Sequence, residues 1–291
     1  MLGAIPVPPE GPAWAAWSFD PISVVVLLGV GSAYAAAVTR SRRRATPHPW
    51  GAVAWWYAGL AVTALALVSP VDRYADVSFA VHMAQHVLLT LVAPPLLALG
   101  APVTLALRAA SPRTARHVTA ALRTRPFRVL ATPAVAWLGF AAIPWVIHFS
   151  PLFDIALRSQ VWHAVEHGLW IGAALLLWWP VVGTDPMPHP WRHPVRLLTV
   201  FLAMPAMSFL SLAIFVANDP LYPTYAAAAP PWGPAALSSQ RDAAVLMWLA
   251  SSFLLVPAML AVAVGWKRHD DERQRRLEDR LDLAEGVGAP G

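Results

Sequence analysis

The chain has 291 residues, 57% of them hydrophobic and 13% charged, about half the charged share of a soluble domain. With a mean hydropathy of +0.52 and its charges gathered between long uncharged runs, it is not an ordinary soluble globule and reads as an all-α polytopic membrane protein. The isoelectric point near 10.2 does not imply nucleic acid, because the basic residues lie in short connections between apolar runs. The chain has no cysteine, which excludes disulfides and leaves His and Met for any soft metal.

Met1 to Asp20 contain no Lys or Arg, so no basic-headed cleavable signal peptide is expected. Spanning a bilayer takes about 20 apolar residues. Seven runs qualify, at 21–39, 45–71, 77–107, 129–153, 168–184, 197–218 and 243–266. The fifth is short but extends back to about Gln160. The third is long, and Pro94-Pro95 and Gly100-Ala101-Pro102 are expected to kink or end it before a short re-entrant or interfacial stretch. Residues 1–266 thus form the membrane domain. Residues 267–291 form a charged tail, expected to be a short helix that frays into its Gly-rich end.

Orientation follows from Lys and Arg. The connections after runs one, three and five, together with the tail, hold 18 of the 21 basic residues, and only Arg73, Arg158 and Arg241 lie on the other side. The positive-inside rule then puts the N-terminus outside and the C-terminus in the cytoplasm.

Two pentapeptides carry the chemistry. His82-Met83-Ala84-Gln85-His86 opens the third run, and His163-Ala164-Val165-Glu166-His167 follows 81 residues later at the head of the fifth. On a helix, positions i, i+3 and i+4 share a face, so each points two imidazoles and an amide or carboxylate one way. Both runs enter from outside, which puts His82 roughly 8 Å deep at 1.5 Å per residue. The fourth run brings His148 to the same leaflet. Five of the ten histidines therefore converge there; His48, His117, His189, His193 and His269 read as solvated loop or tail residues.

Polar groups are costly in a membrane, so the cluster reads as a metal site rather than as interhelical hydrogen bonding alone. The proposed ligands are His82, His86, His163 and His167, with His148 next. Glu166 and Gln85 serve as ligands or as acceptors that fix imidazole tautomers, and Met247 is an auxiliary. His with Met suits copper first, then zinc. Haem or di-iron at the same histidines, in a membrane redox enzyme, is the rival reading. A bis-His haem would leave two of the four motif histidines unused, because His82 and His86 cannot both be axial to one iron. Residues 218–242, with Tyr222, Tyr225 and Pro230-Pro231-Trp232, form either a lid over the cluster or an interfacial belt. Outer acids such as Asp72, Asp76 and Asp154 read as helix caps.

The motifs, taken in order, resemble the CtaG-like cytochrome c oxidase assembly factors, a bacterial seven-helix membrane family. The resemblance covers nearly all of residues 65–250. It rests on Ser69-Pro70, His82-Met-Ala-Gln-His86, Ala93-Pro-Pro-Leu-Leu, Leu99-Gly-Ala-Pro102, Pro151-Leu-Phe-Asp-Ile-Ala-Leu157, His163-Ala-Val-Glu-His167, Trp178-Trp-Pro180 and Pro220-Leu-Tyr-Pro-Thr-Tyr225. In the last block Gln240, Met247 and Trp248 are kept, but Ser239 and Ala244 replace an expected Asp and Gly. The resemblance implies a multi-pass protein of the bacterial plasma membrane that handles copper for subunit II or I of a haem–copper oxidase. Other copper chaperones are implied as further partners, and the role is binding rather than catalysis.

Overall fold

The computed structural model describes residue 9 and residues 11–228 and 233–287. It is all helical, with no strand among the described residues. In chain order the helices are α1 (Pro21–Arg43), α2 (Trp50–Val68), α3 (Pro70–Ala75), α4 (Phe79–Val87), α5 (Ala93–Leu99), α6 (Pro102–Ala109), α7 (Pro112–Leu122), α8 (Arg125–Leu130), α9 (Pro133–His148), α10 (Leu152–Leu157), α11 (Gln160–Val182), α12 (His193–Phe215), α13 (Pro223–Ala228) and α14 (Ala236–Val287).

Six segments are long and apolar enough to cross a membrane: α1, α2, the α4–α6 run, α11, α12 and α14. The fourth expected run forms α9, which is apolar but only 16 residues long, about 24 Å at 1.5 Å per residue. Lys and Arg are absent from all of its length, and short helices α8 and α10 flank it. The charged tail does not begin a separate helix. It continues α14, whose 52 residues run on past Trp266 with i,i+4 contacts such as Arg276 to Glu272 at 3.2 Å. The Pro230-Pro231-Trp232 segment and the last four residues lie outside the described residues.

The third run shows how a broken helix is tolerated in lipid. Residues Leu88–Val92 form a π-helical stretch between α4 and α5, and Pro94 and Pro95 fall in the first turn of α5. Pro94 has no N–H to give to the Thr90 carbonyl four residues back. The Trp178 indole N–H of α11 supplies that bond at 2.8 Å, so a neighbouring helix satisfies the freed group. A second break follows at Ala101, in the left-handed region at φ 48°. Here Tyr34 Oη donates to the Gly100 carbonyl at 2.7 Å, and His48 Nε2 lies 3.0 Å from the same oxygen. His48 is therefore a buried structural residue, not the solvated loop histidine expected, because a carbonyl exposed by a helix break needs donors. Asp185, beyond α11, caps the new helix α6 by accepting from Val103 N at 3.1 Å and Thr104 N at 2.7 Å.

The buried apolar side chains fall into three clusters. Tyr34, Val38, Trp56, Leu97 and Leu105 join α1, α2, α5 and α6. A second block around Phe140, Leu177, Val200 and Leu255 joins α9, α11, α12 and α14. A third block of Phe79, Met83, Ile147, Phe153, Trp170, Tyr222, Tyr225 and Met247 gathers the starts of α4, α11 and α14, the end of α9, and helices α10 and α13. This last block surrounds the histidines.

Candidate metal centre

His82 and His86 sit one turn apart on α4, and His163, Glu166 and His167 lie in the first two turns of α11. His148 is the last residue of α9. These three helix ends meet at one end of the bundle, so all five histidines share one neighbourhood. Their rings stand in chains of close contact, with centroids 4.2 Å apart for His82–His86, 5.5 Å for His82–His163 and 4.2 Å for His163–His167. His86 closes the set, with centroids 6.0 Å from His167 and 6.4 Å from His148.

The tightest group is His82, His86 and Glu166, whose ligand atoms all lie within 4.8 Å of one another and are all buried. His82 Nε2 is 2.9 Å from His86 Nε2, which is 3.8 Å from Glu166 Oε1. Two nitrogens on a tetrahedral ion with metal–nitrogen bonds of about 2.0 Å stand about 3.3 Å apart. The observed separations bracket that value, so the donors need only small side-chain motions to share an ion.

The unpaired atoms point the same way. His86 Nδ1, His163 Nε2, His167 Nε2 and Glu166 Oε2 are buried without a hydrogen-bond partner among the described residues. Leaving such an atom unpaired costs about 1–3 kcal/mol. Four within one cluster are unusual for a native core, and a metal ligated there would relieve several. The residues present therefore fit a metal of the imidazole–carboxylate class.

Two supports lay beyond what the motifs revealed. The Tyr225 hydroxyl, on α13, donates to the Ala75 carbonyl at 2.6 Å and lies 2.7 Å from His82 Nδ1. A carbonyl can only accept, so the single hydroxyl proton is committed to Ala75, and His82 must donate its Nδ1–H to the tyrosine oxygen. That fixes the tautomer and leaves the His82 Nε2 lone pair facing His86 and Glu166, an arrangement that orients metal ligands elsewhere. On the other side, Trp170 donates Nε1–H to Glu166 Oε1 at 3.4 Å and packs tilted against His86 with ring centroids 4.2 Å apart. Trp170 stands i+4 from Glu166, a signal masked because an aromatic residue in an apolar helix reads as packing. Tyr225 had none beyond its place in an aromatic loop.

The other expected site residues are placed differently. Gln85 faces away from the imidazoles; its Nε2 donates to the Ala66 carbonyl and to Asp72 Oδ1, both at 2.8 Å. Asp72 lies in the first turn of α3, where Ser69 is the cap, so this acid anchors Gln85 rather than capping a helix. Burial, with Asp72 adding to it, pushes the neighbouring Asp76 carboxyl up to about 6. Met247 packs in the apolar block beside the site. Tyr222 and Tyr225 are 4% and 5% exposed; the described part of the 218–242 segment lies over the cluster and is tied down where Asp154 accepts from Thr224 N at 3.1 Å.

Replacing Tyr225 with phenylalanine tests the tautomer lock. Both the Ala75 carbonyl and His82 Nδ1–H lose their partner. Metal affinity is expected to fall about 10- to 100-fold in a competition titration. Unchanged affinity would show that the tyrosine only packs.

Comparison with known proteins gives a family match across most of the chain. The model for the cytochrome c oxidase caa3 assembly factor matches residues 32–269. Uncharacterized proteins of Mycobacterium bovis and Mycobacterium tuberculosis are each 31% identical over 276 residues, which is 91% of this chain and 41% of theirs. One from Mycobacterium leprae is 29% identical over the same span. The chain therefore spans less than half the length of the curated relatives it matches. No solved structure is similar.

Proposed function

This chain belongs to the cytochrome c oxidase caa3 assembly factors, and from that premise we propose that it handles copper for a haem–copper oxidase, carrying the ion as cargo rather than catalysing a reaction. The observation that carries the reading is the buried His82–His86–Glu166 triangle, with four unpaired polar atoms in and around it. His163, His167 and His148 form the next ring of donors. A bundle of seven spans, counting the short α9, with the N-terminus outside, would set this end toward the outer face. That is where a partner subunit carrying an exposed copper centre, subunit II before subunit I, would receive the ion. Imidazole and carboxylate also accept zinc; copper is preferred on the family's task.

Haem at the same residues is disfavoured by packing. The two α4 imidazoles approach within 2.9 Å, and Trp170 and Phe153 close the remaining faces with centroids 4.2 Å from His86 and 5.2 Å from His82. A haem stands between its axial ligands, so it would have to part these rings.

The test is to purify the protein, record its visible spectrum and quantify its metals. Bound copper that disappears in the His82→Ala, His163→Ala double variant is the expected result, and a strong Soret band would overturn it. In cells, loss of the protein should lower oxidase activity while the oxidase polypeptides remain; normal activity would count against a role in maturation.

A further inference from the structure

One contact in the apolar block has the wrong chemistry for simple packing. Met83 follows His82 on α4 and is fully buried, and its sulfur lies 3.4 Å from His148 Nε2. His148 Nδ1 lies 2.8 Å from the Pro144 carbonyl. Since that oxygen can only accept, Nδ1 carries the proton of the neutral ring and Nε2 presents a lone pair. A thioether has no proton to offer either, so two electron-pair donors confront each other. The reversed tautomer would turn Nε2–H toward sulfur, a weak acceptor, while setting the Nδ1 lone pair against the carbonyl oxygen.

From this contact we infer that Met83 and His148 form a soft nitrogen–sulfur position that makes the metal centre select cuprous ion over divalent ions. The inference rests on the copper reading above and adds the oxidation state to it. Imidazole with thioether is a donor set suited to copper(I), which accepts low coordination numbers. The surroundings favour single charge. Phe79, Phe153 and Tyr222 hold the His148 ring at centroid distances of 6.4, 5.2 and 6.2 Å, and these aromatic faces exclude water. The cost of desolvating an ion rises with the square of its charge, so a divalent cation is penalised more than a monovalent one. His148 also stands 6.4 Å from His86 and 5.7 Å from Trp170 by ring centroid, so the soft position adjoins the His82–His86–Glu166 triangle.

The experiment loads the full chain in a membrane mimetic with copper(I) and examines the copper by X-ray absorption, beside competition titrations with silver(I), a redox-inert cuprous probe, and with zinc(II). The expected result is a sulfur neighbour bonded to the copper that vanishes in Met83→Leu, a substitution of similar volume. Silver(I) affinity then falls at least tenfold while zinc(II) affinity is unchanged. Copper surrounded by nitrogen and oxygen alone, with equal silver(I) affinity in the variant, overturns the inference and leaves the copper reading standing. A protein that retains no copper with all its histidines intact overturns both.

Discussion

Replacing Glu166 with glutamine is expected to stabilise the metal-free protein while weakening metal binding at least tenfold. The two effects share a cause. Glu166 is 4% exposed, its Oε1 receives only the Trp170 indole at 3.4 Å, and its Oε2 has no partner. A buried carboxylate with one weak hydrogen bond is a cost to the fold, whereas a carboxylate facing two imidazoles is what a cation needs. Glutamine keeps the acceptor for Trp170 and cannot ionise. A gain of about 1–2 kcal/mol should appear as a higher unfolding temperature for the variant without metal, measured in the same detergent or nanodisc. The ordering should reverse when copper is added, because the wild type alone gains binding energy. Should Glu166→Gln lower the stability of the metal-free protein, the carboxylate is a structural partner rather than a ligand held in waiting.

The two pentapeptides show what spacing reveals and where it stops. The same His-x-x-(Gln/Glu)-His spacing occurs twice, yet Glu166 turns into the cluster and Gln85 turns to Ala66 and Asp72. On an ideal helix at 100° per residue, positions i+3 and i+4 diverge by about 100°, one to either side of position i. Which of them joins the first histidine depends on what packs on each side, and that is a tertiary fact. For α4, the i+3 side meets α2 and α3; for α11, it meets α4. The apolar runs and the meeting of His82, His86, His148, His163 and His167 were legible because hydropathy and helical depth are local properties. Met83, Trp170 and Tyr225 were hidden for the opposite reason. Methionine and aromatic residues in apolar helices pack far more often than they ligate or orient, and only a measured contact separates the cases. The continuous α14 was missed because a charged composition marks where a helix leaves lipid, not where its hydrogen bonds stop.

A valine at Gly59 is expected to cost more stability than any single change at the metal centre. A Cβ there would lie 2.8 and 2.9 Å from the Leu97 side chain and 2.9 Å from the Leu97 backbone nitrogen. The side-chain atoms can shift, but the backbone of α5 cannot move without disturbing a segment already broken on both sides. Gly100 makes the reciprocal approach, its Cβ position lying 2.9 Å from Trp56, so α2 and α5 meet backbone to backbone, as small residues permit in membrane helices. Overpacking a tight contact costs about 1–3 kcal/mol, and valine adds its methyl groups at the point of closest approach, so a loss at the upper end or beyond is expected in thermal or denaturant unfolding. The damage should reach the metal centre, because the short π-helical stretch Leu88–Val92 alone joins α5 to α4, which carries His82 and His86. Alanine should behave as a milder version, while Gly139→Ala, at a position with open space around it, should be nearly neutral. If Gly59→Val unfolds no earlier than Gly139→Ala, the close crossing of α2 and α5 is not what holds the third run in place.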